Sequence, residues 1–85
     1  MIRVTCLGHI GTEVGRSEIQ LNVGDVGAAE LVDSLRSKAP NPNPGFSRFN
    51  TLVMVGEGEA FVPATSTRTI KDGERVILIP FSHGG

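Results

Sequence analysis

The sequence predicts an α+β fold in which a mixed sheet of four to five strands curls around one main helix. Three observations carry this expectation. Apolar residues alternate with period two near both ends, one long stripe of period 3.6 lies between them, and glycine or proline separates the periodic stretches.

In chain order, Ile2, Val4 and Cys6 alternate with Arg3, Thr5 and Leu7, the pattern of a half-buried strand beginning at the N-terminus. Gly8, Gly11 and Gly15 read as a turn. Ile19, Leu21 and Val23 then alternate with Glu18, Gln20 and Asn22, so the two stretches are expected to form a hairpin.

Asp25 follows Gly24 and is suited to cap a helix, since its carboxylate accepts first-turn N–H groups and faces the positive end of the dipole. The helix is expected to run to about Ala39. Ala28, Leu31, Val32, Leu35 and Ala39 share one stripe, Glu30, Asp33, Arg36 and Ser37 face water, and Pro40 stops it. The run from Pro40 to Gly45 alternates Pro with Asn, which neither a helix nor a central strand accommodates, and reads as a loop. Phe46 and Phe49 are expected to tuck its far end onto the core.

Thr51 to Val55 reads as a third strand ended by Gly56, and Ala60 to Val62, before Pro63, as a short edge strand. Thr65 to Thr69 is polar connection. Ile70 precedes the turn Lys71-Asp72-Gly73, and Glu74 to Phe81 forms the last strand. The helix acts as a crossover that sets the last strand beside the first in parallel, the plan of a β-grasp domain. The expected division is residues 1–81 as the domain and 82–85 as a flexible tail. One helix covers one sheet face. If Val76, Leu78 and Pro80 face it, Ile77, Ile79 and Phe81 face the other way with Leu7, leaving an apolar patch suited to a partner.

A chain of 85 residues makes one domain that buries only ~60–65% of its unfolded surface. Cys6, the only cysteine, excludes an internal disulfide framework and suits a reducing cytosol. No leader-like segment or apolar run near the ~20 residues of a membrane span occurs. Eight basic and nine acidic residues are dispersed along the chain, so neither nucleic acid nor a membrane surface is an expected partner. The expectation is a soluble cytoplasmic monomer.

No phosphate-cradling loop or dinucleotide fingerprint is present, and Gly56-Glu57-Gly58 reads as a turn between strands. Cys6 sits at inward parity and packs as a small hydrophobe rather than a catalytic thiol. His9 and His83 have no further ligand at zinc spacing. Asp72 and Glu74 flank a turn glycine and read as solvated turn residues. No catalytic constellation emerges, so the chain is not expected to be an enzyme. The sequence instead ends in Gly84-Gly85 a few residues after an apolar strand, and two residues without Cβ fit an extended path through a channel too narrow for side chains. That ending reads as a substrate offered to another protein.

The run Thr69 to Pro80 followed by Gly84-Gly85 resembles the ubiquitin-like sulfur carriers MoaD and ThiS, and Ser82-His83-Gly84-Gly85 is similar to the ends of the ubiquitin-related modifier and the archaeal small modifier proteins. The resemblance implies that an ATP-dependent, ubiquitin-activating-type adenylyltransferase adenylates the Gly85 carboxylate. The acyl group then passes to sulfur, for delivery to an acceptor enzyme, or to a lysine of a target protein. It implies recognition of the tail at Gly84, His83 and Ser82, and a partner-binding face of Leu7, Phe61, Ile79 and Phe81, where parity independently selects Leu7, Ile79 and Phe81. The chain would have no cofactor of its own, ATP belonging to the activating enzyme. Two alternatives stand beside this reading. One is a molybdopterin synthase small subunit, although this chain has Pro80-Phe81 and Val55-Gly56 where many such subunits have Pro-Pro and Asn-Gly. The other is a non-covalent β-grasp interaction module with an inert tail.

Overall fold

A computed structural model describes residues 1–81, and within them the strands β1 (Ile2–Cys6), β2 (Glu18–Leu21), β4 (Thr51–Glu57), β5 (Ala60–Pro63) and β7 (Arg75–Pro80) form one mixed sheet. Its order is β2-β1-β7-β4-β5. β1 and β7 run parallel, whereas β2 on β1, β4 on β7 and β5 on β4 are antiparallel. A second, two-stranded sheet pairs β3 (Val26–Gly27) with β6 (Thr69–Ile70).

Period-two alternation places Ile2, Val4 and Cys6 of β1 and Val76 and Leu78 of β7 in the core. They meet Ala28, Leu31, Val32 and Leu35 of helix α2 (Ala28–Lys38), the apolar stripe of the 3.6 period. Each large side chain buried there contributes about 1.5–3 kcal/mol. Helix α2 is the crossover that brings β7 beside β1, as its place in the order requires.

The structure corrects several sequence expectations. Between β1 and β2 the chain forms helix α1 (Gly8–Val14) instead of a glycine turn. Ile10 and Val14, four residues apart, lie against the core, and the helix closes on Gly15, whose φ of 93° is left-handed and whose N–H reaches the Gly11 carbonyl. β2 ends at Leu21, so Val23 is an exposed residue beyond it. Asp25 does not cap α2. Val26 and Gly27 are drawn into β3, Gly27 occupies the cap position, and the Asp25 carboxylate instead accepts the Asp72 N–H at 3.3 Å. Phe46 is fully buried, but Phe49 is 74% exposed.

The Pro-Asn loop is held from three sides. Glu13 of α1 accepts the Gly45 N–H at 2.6 Å, the Arg36 Nε–H donates to the Phe46 carbonyl at 2.7 Å, and the Asn50 side-chain amide donates to the Gly45 carbonyl. Arg36 is therefore half-buried rather than turned to water. Beyond the loop, β4 continues through Gly56 and Glu57, leaving Gly58-Glu59 as the turn into β5.

Candidate functional site

α2 covers one face of the five-stranded sheet, and the strand register arranges the side chains of the other face in rows. Cys6 stands beside Leu78, so Leu7, in extended backbone and donating its N–H to the Leu78 carbonyl, stands at the level of Ile79. Ile79 in turn faces Leu52 on β4. The next row holds Thr5, Ile77, Met54 and Pro63, flanked by Glu18 on β2. A third row holds Gln20, Arg3 and Arg75 and continues to Gly56 and Phe61.

The face is therefore apolar at the end where β7 finishes and basic at the other. Leu7 and Leu52 are exposed, while Ile77, Ile79 and Met54 are half-buried by their neighbours. Phe61 is also half-buried, under the guanidinium of Arg75. Of the four expected partner-binding residues, Leu7 and Ile79 share a row. Phe61 lies two rows away, about 13 Å along the strand direction. Phe81 follows β7, donates its N–H to the Asn50 carbonyl, and lines a groove with Val32, Arg48, Thr51 and Ala64 that Leu52 of the apolar row also borders. Sequence reasoning leaves out Leu52 and Met54. Parity within Thr51 to Val55 finds them once β4 is paired with β7 in the observed register.

Ser82, His83, Gly84 and Gly85 lie outside the described residues. Among the described residues, no group of three His, Cys, Asp or Glu side chains is placed to hold a metal ion. Cys6 is buried, and loss of hydration pushes its thiol up, away from the reactive thiolate. His9 sits on α1, where its Nδ1 is 3.0 Å from a Glu13 carboxylate oxygen. The Gly45 N–H, and after it the His9 ring, hold the Glu13 carboxyl below its ordinary range. Asp72 pairs with the amino group of Met1, and Glu74 accepts the Lys71 N–H and pairs with Arg68. Both acids of the turn act structurally. No helix in the described residues is long and apolar enough to cross a membrane.

No family model and no curated protein matches the chain. Solved structures do. SAMP1 from Haloferax volcanii superposes with a TM-score of 0.67 at 19% identity, over 99% of this chain and 98% of that one. A chain of the BexX/CysO complex from Amycolatopsis orientalis superposes with a TM-score of 0.64 at 16% identity, over the whole of both chains. Likeness at this level of identity establishes the β-grasp fold.

Proposed function

We propose that the chain is a ubiquitin-like carrier whose C-terminal carboxylate, at Gly85, is adenylated by an activating enzyme and then converted to a thiocarboxylate, joined to target lysines, or both. The observation that carries this reading is the position of the apolar row. Leu7, Ile79 and Leu52 stand at the end where β7 finishes, one residue before Phe81. A partner gripping that row is placed to receive Ser82 to Gly85, four residues that span at most ~14 Å when extended. The sequence resemblance to sulfur carriers and small modifiers supports the same reading, as does the fold shared with SAMP1.

The chemistry needs an external enzyme. A terminal carboxylate, with an ordinary pKa of ~3.3–3.7, is ionised at neutral pH and carries no leaving group. Attack by its oxygen on the α-phosphorus of ATP expels pyrophosphate and forms an acyl-adenylate. Sulfide then attacks the acyl carbon and displaces AMP, leaving a thiocarboxylate, or a lysine amine does so and leaves an isopeptide bond. In this reading the β-grasp domain supplies no catalytic group. Its β7, fixed between β1 and β4, presents the tail, and its outer face is the docking surface.

Intact mass of the chain isolated from its native cells tests the reading. Sulfur in place of one terminal oxygen identifies a carrier, and branched peptides joining Gly85 to a substrate lysine identify a modifier. A population carrying only unmodified Gly85, under conditions that load a known carrier in the same cells, contradicts both.

A further inference from the structure

We infer that Arg3 and Arg75 form an anion-accepting corner of the outer sheet face, which docks a partner-protein segment carrying carboxylates followed by apolar side chains. The inference deepens the reading of this face as a docking surface and is independent of the fate of Gly85.

Register brings the two arginines side by side on adjacent parallel strands, both exposed. Like charges at such positions repel and disfavour the fold. Arg48 is matched with Asp33, Arg68 with Glu57 and Glu74, and the N-terminal amine with Asp72, but no such match relieves this adjacent pair. Among the described residues neither Arg3 nor Arg75 has a carboxylate partner. Glu18 on β2 stands one row away beside Thr5, and no ion pair joins it to either arginine.

Arg75 is also held in place. One Nη2 hydrogen bonds to the Gly58 carbonyl at 2.9 Å, and the guanidinium carbon lies 5.0 Å from the Phe61 ring centroid. That leaves other N–H groups of a fixed planar fork for an incoming acid, and such forks bind carboxylates through two parallel hydrogen bonds. A hollow of about 320 Å³ lined by Met1, Arg3, Gln20, Gly73 and Arg75 gives the carboxylates room. Met54 and Ile77 occupy the next row, so a segment entering at the arginines continues over apolar surface. Two arginines in a chain of net charge −1 do not make the broad basic field that nucleic acid requires, and a protein segment fits better.

The ¹⁵N-labelled full chain is titrated with a synthetic peptide of a glutamate block followed by a leucine block, and with the same peptide carrying glutamine for every glutamate. The glutamate peptide is expected to shift the Nε–H signals of Arg3 and Arg75 and the amides of Met54 and Ile77. The glutamine peptide should bind at least about tenfold more weakly, as loss of charge-assisted pairs implies. Arg3→Glu should remove the shifts while keeping or raising the Tm, because it replaces a like-charged lateral pair with an opposite one. Equal binding of the two peptides, shifts confined to other surfaces, or the same response to inorganic phosphate or a short oligonucleotide overturns the inference. The titration needs neither ATP nor the tail, and a chain lacking Gly84 and Gly85 should respond equally, so its failure is distinguishable from failure of adenylation.

Discussion

The guanidinium of Arg75 on β7 lies over the ring of Phe61 on β5, 5.0 Å from its centroid, reaching across Gly56 on the strand between. Only a residue without a side chain leaves that path open. A Cβ on Gly56 would stand 3.1 Å from Arg75 Nη2 and 3.3 Å from the Phe61 ring. The contact fixes the basic corner of the outer face and secures the edge strand, through an interaction worth ~0.5–1 kcal/mol at an exposed site.

Gly56→Val should therefore displace Arg75, since the atoms in its way belong to a flexible side chain. The ring-current shift of the Arg75 side-chain protons should disappear, with a loss of stability of roughly 1 kcal/mol. An unchanged shift would show that the path across β4 is not needed.

The two phenylalanines after the loop should separate cleanly. Phe46 is fully buried and its truncation to Ala should cost about 3–5 kcal/mol, whereas Phe49, 74% exposed, should cost less than about 1 kcal/mol. Urea denaturation of both variants measures the difference, and comparable losses would contradict the described packing.

That pair also shows where sequence reading succeeds and where it stops. Ile2, Val4, Cys6, Val76, Leu78 and the stripe of α2 were legible because their periods of 2 and 3.6 are imposed by the geometry of strand and helix. Phe46 and Phe49 belong to an aperiodic segment, and no local pattern states which one turns inward. Helix α1 was hidden because Gly8 and Gly11 are poor helix formers and Gly15, which ends the helix, reads equally as a turn, and packing of Ile10 and Val14 outweighs that preference. Asp25 satisfies the local rule for a cap, but pairing of Val26 with Ile70, forty-four residues later, takes the preceding backbone into a strand. On the outer face, parity finds Leu7 and Ile79. The row that unites them with Leu52 depends on the long-range register of β4 against β7.

Glu13 links α1 to the Pro-Asn loop, and its contribution should depend on pH. The Gly45 N–H and the His9 ring lower its pKa in the folded state, so the stability it adds is present above the ordinary glutamate value of 4.5 and is lost as pH falls through the lower folded value. Glu13→Gln should lower the Tm at neutral pH, with the gap to the parent chain closing below pH 4.5. A gap that widens on acidification would contradict the sign.

If the apolar row is the docking surface, Leu52→Asp should impair activation while Gly85 remains intact. Leu52 is partly exposed, so its replacement should leave the fold in place by circular dichroism. The expected result is a rise in KM for the chain of at least about tenfold, the ~1.4 kcal/mol or more that a buried interface anchor supplies. An unaltered KM would move the docking surface away from both this row and the groove that Leu52 shares with Phe81, the corner of Arg3 and Arg75 being the next surface to test.

The most direct measurement is ATP–pyrophosphate exchange by the cognate activating enzyme, with the full chain, the chain lacking Gly85, and the chain extended by one residue as substrates. Exchange with the full chain alone, all three folding equally by circular dichroism, is the predicted result. Equal exchange with either altered chain, or none with the full chain, would contradict activation at Gly85.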